Sequence, residues 1–183
     1  KECVMENESQ STIKGTGVVA GVAYAEAVWV RPRPELPTAG ELIDEEKRDG
    51  EYDRFLEAVD IVASRLEQRA AGAEGQAAEV LGATAGMVKD RGWHKAVRKS
   101  IRAGRPAEYA TASATEKFVT MFEAAGGVMA ERTTDLKDVR DRVIAQLRGE
   151  QEPGLPMVTG EAVLLADDLA PADTATLDTA HIK

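Results

Sequence analysis

The run Tyr52-Asp53-Arg54-Phe55-Leu56-Glu57-Ala58-Val59-Asp60-Ile61-Val62-Ala63-Ser64-Arg65-Leu66 decides the fold. Its apolar members Tyr52, Phe55, Leu56, Val59, Val62 and Leu66 recur at three- and four-residue steps, the spacing that lines up one face of an α-helix. Asp53, Glu57, Asp60 and Arg65 fall between them and make the other face polar. A strand alternates with period two and would scatter the same residues over both faces. One apolar stripe cannot stay in water, so this helix needs partners.

Those partners follow in the chain. Ala77, Val80, Leu81, Ala85 and Val88 continue as a second helix, weakened by Gly82 and Gly86 by about 1 kcal/mol each relative to alanine. Trp93, Val97 and Ile101 mark a third, short and basic, which Gly104 and Pro106 stop. Ala110, Ala114, Phe118, Met121, Phe122 and Ala125 form a fourth, ended by Gly126-Gly127. Met129, Leu136, Val139, Val143 and Leu147 form a fifth, ended by Gly149. The connections are short, so antiparallel hairpins packing into a bundle over residues 38–149 are the economical arrangement. Thr38-Ala39-Gly40-Glu41 has capping-box spacing and is the expected start of the first helix. With three Phe, three Tyr and two Trp in 183 residues, the core must be filled mainly by Ala, Val and Leu.

Outside this block the pattern changes. Residues 1–11 are polar and aperiodic, and read as a disordered leader without the apolar core of a signal peptide. From Thr12 to Val30 the β-branched Val18, Val19, Val22, Val28 and Val30 suggest one or two short strands, with Gly15, Gly17 and Gly21 at turns; Pro32, Pro34 and Pro37 then break regular structure. After Pro153, Gly154 and Pro156, Ala162 to Ala166 is a short buried-strand run, and Pro171 to Leu177 suits one or two helical turns. A strand-bearing segment therefore stands on each side of the helices, as expected of an inserted helical domain.

Charge and composition exclude several functions. The net charge is −9, with 12 acids against 5 bases over residues 41–79 but 8 against 13 over 80–148. A net acidic chain is a poor binder of nucleic acid, whose affinity rests mainly on phosphate attraction. No stretch is apolar enough to span a membrane. The single Cys3 allows no internal disulfide or ordinary zinc site, and the cytoplasm is the expected compartment. The Gly15, Gly17, Gly21 spacing fits neither phosphate-binding glycine motif. His94 reads as a solvated surface histidine and Asp167-Asp168 as a cap for the next element. The residues themselves offer no nucleophile with its base, which leaves a binding or scaffolding unit.

Three segments, in order, carry a resemblance: Gly17-Val18-Val19-Ala20-Gly21-Val22-Ala23, the run from Glu131-Arg132-Thr133-Thr134-Asp135 through Asp138-Val139-Arg140-Asp141-Arg142, and Val163-Leu164-Leu165-Ala166-Asp167-Asp168-Leu169-Ala170-Pro171. Together they resemble the N-terminal half of the enzyme I family of the bacterial sugar phosphotransferase system, the phosphoenolpyruvate–protein phosphotransferases. The resemblance implies a mainly α chain: an antiparallel helical bundle of two hairpins over 38–149, inserted into an incomplete swivelling α/β phosphohistidine domain. Residues 12–37 are its first part and linker, and 150–183 are the return. It also implies that an active histidine in a Gly-Gly-x-x-Ser-His run passes phosphate from phosphoenolpyruvate to the phosphocarrier HPr. That run is absent here; by similarity it is expected beyond Lys183, so this stretch is expected to bind HPr without transferring phosphate. Magnesium and homodimerisation belong, by the same resemblance, to a C-terminal barrel.

For HPr binding the resemblance points to Met87, Trp93, Met121, Met129, Arg132 and Asp135. Met121 and Met129 have bundle core as their other reading, and Arg132 with Asp135 an ordinary i,i+3 pair. Acids that the family carries around residues 75–92 are here Gly75, Gln76, Gly82 and Gly92, so steering of a basic partner is expected to be weaker. Two further readings stand beside this one: a non-catalytic helical adaptor for an unrelated protein, and the swivelling-domain part of a related phosphoenolpyruvate-using dikinase.

Overall fold

The computed structural model describes residues 20–183 except 157, 167, 168, 178 and 179. The leader, Cys3, Gly15, Gly17, Val18, Val19 and Asp167-Asp168 lie outside the described residues.

A strand, β1 (Glu26–Trp29), precedes a 3-10 turn (Glu45–Lys47) and helices α1 (Arg48–Gly72), α2 (Gln76–Val88), α3 (Arg91–Arg102), α4 (Ala107–Ala125), α5 (Gly127–Glu131) and α6 (Thr133–Arg148); β2 (Ala162–Leu165) and α7 (Pro171–Ala175) follow. The chain is therefore mainly helical. The α1 stripe is buried as its spacing requires: Phe55, Val59, Val62 and Leu66 are at 0–1% exposure, and Ala58 and Ala63 fill the gaps. α1 packs most extensively on α2, and α4 on α6, which gives two hairpins; α3 packs on α4 and α1 also meets α6. Leu81, Val88, Val97, Ile101 and Val143 close the shared core, with Ala85, Ala107, Ala110 and Ala114 permitting close helix approach. Phe55 meets the Trp93 ring edge-on at 5.5 Å.

Two helix boundaries differ from expectation. The capping-box residues Thr38 to Glu41 are not helical, and Gly40 has φ +52°. Tertiary bonds override the local cap: the Ile43 N–H donates to the Gly104 carbonyl at 2.8 Å, and Arg105 Nη1 donates to the Ala39 carbonyl at 3.2 Å. These hold the segment extended across the α3–α4 turn, and helix begins only after Asp44. The expected fifth helix is two pieces, α5 and α6, parted at Arg132, and a Gly126-Gly127 turn at positive φ (+67° and +55°) separates α5 from α4.

β1 and β2 pair in parallel, with Glu26 opposite Ala162 and Trp29 opposite Leu165. Ala162 also bridges to Ile182, its N–H donating to the His181 carbonyl. Of the valines expected in strands, Val28 is in β1 and the Val30 N–H donates to the Leu165 carbonyl, while Val22 is fully exposed outside the ladder. Arg31 bridges to Gly154, and α7 rests on α2 and α6, so the strand-bearing segments meet the bundle at the foot of α6.

Candidate functional site

A groove of about 360 Å³ opens where α2, α3, α4 and α5 meet the start of α6. One wall is α2, through Ala83, Gly86 and Met87; another is the end of α4, through Phe118 and Phe122; Met129 of α5, Arg132 and Leu136 of α6 close the third. The floor is Trp93, 2% exposed. Its indole Nε1–H donates to Thr115 Oγ1 at 3.0 Å, and that hydroxyl donates to the Thr111 carbonyl at 2.9 Å, so the buried polar atom is satisfied and the ring is fixed. Asp90, in the mouth, caps α3: its Oδ1 accepts the Trp93 backbone N–H at 2.7 Å.

His94 is not the solvated residue the sequence suggested. Its Nε2 lies 2.8 Å from the Val88 carbonyl and its ring packs edge-on against Phe55, because the α2–α3 corner folds the helix end over it. It therefore clips the end of α2 to α3 below the groove.

Of the six residues singled out from the sequence, Met87, Trp93, Met129 and Arg132 line this one groove. Met121 does not: it stands 54% exposed on the outer face of α4, and Asp135 lies beside the groove without lining it. Burial raises the Asp135 carboxyl above the usual carboxylate range, opposed by the charge of Arg132. Phe118, Phe122 and Asp90 were missed as lining residues. The two phenylalanines, an i,i+4 pair with rings 6.4 Å apart, have helical-core spacing, yet both are only half-buried and line the groove.

A second cluster lies at the foot of α6. Arg142, with no exposed side-chain surface, donates from Nε to Asp138 at 2.8 Å, from Nη2 to Asp173 at 2.9 Å, and from Nη1 to Glu152. Arg65 and Arg69 of α1 also reach Glu152, at 3.7 and 3.2 Å. Burial works against the guanidinium's charge, but Asp138 first, then Asp173 and Glu152, hold it firmly protonated. Asp138 itself is pushed above the usual range, chiefly by burial, with Arg142 opposing. The cluster joins α6, the segment after it and α7. Its carboxylates surround an arginine and so do not suit a cation, and among the described residues no group of three or more His, Cys, Asp or Glu is arranged to hold a metal ion. Nor is any described helix long and apolar enough to cross a membrane.

Known proteins resemble this chain. It is 38% identical over 175 residues to the phosphoenolpyruvate-protein phosphotransferase of Streptomyces coelicolor, covering 92% of this chain and 30% of that protein. The corresponding proteins of Haloferax volcanii and Bacillus subtilis are 33% and 32% identical, each over 93% of this chain and 31% and 30% of their own. The chain thus spans less than a third of the length of these relatives. An NMR solution structure of Enzyme I superposes with a TM-score of 0.72 at 25% identity, covering 86% of this chain and 66% of that one. The N-terminal domain of Enzyme 1 - Nitrogen shares the fold, with a TM-score of 0.60 at 21% identity. A family profile described as "PEP-utilising enzyme, N-terminal" matches residues 14–132, and the chain belongs to that family.

Proposed function

We propose that this chain is the N-terminal part of a cytoplasmic phosphoenolpyruvate–protein phosphotransferase, and that the groove walled by α2, α4 and α5 docks the phosphocarrier HPr. The observation that supports this most is the convergence of Met87, Trp93, Met129 and Arg132 on one groove from three separate stretches of chain. The lining suits a transient partner. Met87 and Met129 are flexible and polarizable, so they conform to an apolar knob that must bind and leave within a catalytic cycle. Trp93 is held rigid beneath them, and Arg132 at the rim offers a charged fork to a phosphate or carboxylate.

In this reading the chain binds and orients, and does not itself move the phosphoryl group. His94 serves the packing of the α2–α3 corner: its Nε2 lies 2.8 Å from the Val88 carbonyl and its ring packs edge-on against Phe55. A magnesium ion for phosphoenolpyruvate would be held outside this chain, as would the homodimer contact. Titrating the chain, labelled on its backbone amides and its methionine methyl groups, with HPr tests the proposal. Signals of Met87 and Met129 should shift while those of β1 stay in place; an absence of shifts, or shifts confined to residues 26–29, would return the chain to the class of helical adaptors for another partner.

A further inference from the structure

Two glycines stand in the interior of α2, Gly82 and Gly86, where each is less favourable than alanine because it gives up more conformational freedom on becoming helical. Neither has a positive φ, so the backbone does not call for glycine at either place. Nor does packing: a Cβ built on Gly82 or on Gly86 would meet nothing within 4 Å beyond its own helical turns. The Gly86 carbonyl accepts the Lys89 N–H at 3.2 Å, a bond that any residue would make there. The fold of this chain therefore gives no reason for either residue.

The two glycines differ in what they face. Ala83, Gly86 and Met87, at i, i+3 and i+4, form the face of α2 that lines the groove, whereas Gly82 does not line it. The α4 wall is built of Phe118 and Phe122, and Met129 stands beside it, 42% exposed. One wall thus carries bulky apolar side chains, and the other is bare backbone at Gly86. Met87, Phe118 and Phe122 are only half-buried, so the apolar surface around that bare stretch has no full cover from this chain. A local preference broken with no compensating contact is a mark of function.

We infer that Gly86 is a specificity-determining residue of the docking groove: the space left by its missing side chain lets an apolar side chain of the carrier come down onto the α2 backbone beside Met87. This rests on the carrier-docking reading above and adds the contact that selects the partner. A carrier whose apolar side chain projects far enough fills the space. A flatter surface rests on the rim, at Met129 and Arg132, and forfeits the contacts beneath. Any side chain at position 86 would close the space to both.

The test is calorimetric titration of the whole chain with the HPr-type carrier of the same organism, together with thermal unfolding of each variant. Gly86→Ala should weaken binding about threefold and Gly86→Leu about thirtyfold, as the added side chain fills the clearance. Both should unfold at a temperature no lower than the wild type's, because each replaces a helix-interior glycine with a better helix former. Gly82→Leu, on the same helix but off the groove, should show the same stability and bind like the wild type. Affinity and stability moving in opposite directions separates this role from a merely structural one. Unaltered affinity in Gly86→Leu, with the wild type still binding, overturns the inference and leaves carrier docking standing. An equal loss in Gly82→Leu also overturns it, by spreading the contact over the outer face of α2. A lowered unfolding temperature in Gly86→Leu would do the same by giving Gly86 a packing role. No binding by the wild type overturns both readings.

Discussion

The carboxylate of Asp173 lies against Gly154: a Cβ built on that glycine would come within 2.9 Å of the Asp173 Cγ, and the glycine itself has φ +103°. Asp173 cannot swing away, because Arg142 holds it through a 2.9 Å hydrogen bond. The backbone of the returning segment, the α7 carboxylate and the α6 guanidinium are thus stacked in direct contact.

Gly154→Ala should therefore destabilise the chain by about 1–3 kcal/mol, through strain at positive φ and displacement of Asp173. Urea unfolding followed by circular dichroism measures this. A loss within experimental error would show that the contact yields at little cost.

Arg142→Met should cost more, about 3–5 kcal/mol, because Asp138, Glu152 and Asp173 would lose their shared buried cation. Adding Asp138→Asn and Asp173→Asn to that variant should recover part of the loss, which distinguishes uncompensated charge from lost packing.

Asp138 should give stability a distinctive pH dependence. Its folded pKa is raised above the ordinary value of 3.8, so between the two values the folded chain holds a proton that the unfolded chain has released. Its contribution is fully present below 3.8 and is lost as pH rises through the folded value. The destabilisation caused by Asp138→Asn should accordingly be largest in acid and shrink toward neutrality. Unfolding curves of both proteins across that range give the difference directly.

In the groove, Met129→Ala should weaken HPr binding about tenfold, whereas Met121→Ala, on the outer face of α4, should leave it nearly unchanged. Calorimetric titration separates the two. Equal losses would place the docking surface further along α4.

Asp90→Ala should cost about 1 kcal/mol of stability by removing the α3 cap, and should weaken the carrier more than its modest size suggests, since the cap sets the first turn that positions Trp93. Asp90→Asn, which keeps the capping oxygen, should restore most of both.

The bundle was legible because its longer helices carry stripes long enough to show their period, and glycine ends several of them. Two of the site's main features were less so. The groove gathers residues from five helices, and the break at Arg132 between α5 and α6 is concealed by the Met129-to-Leu147 spacing, which continues as if through one helix. In the Arg142 cluster, the i,i+4 pair Asp138–Arg142 could be seen in the sequence, but Glu152 and Asp173 belong to other elements and only the tertiary fold brings them in. The reverse happened at Thr38–Glu41, where a valid local motif lost to a backbone bond with distant Gly104.

The β1–β2 pairing has a consequence for the order of folding. Glu26 can find Ala162 only after nearly the whole helical segment has been spanned, and closing so long a loop in an unstructured chain is entropically slow. A folded bundle shortens that search, because the end of α6 already holds the segment that leads from β1 into α1: Arg148 Nη1 donates to the Glu35 carbonyl at 2.8 Å. The helices thus act as an internal template for the sheet: amide protection should appear in α1, α2 and α6 before it appears in β1, and a chain whose bundle is destabilised should lose the parallel ladder along with it.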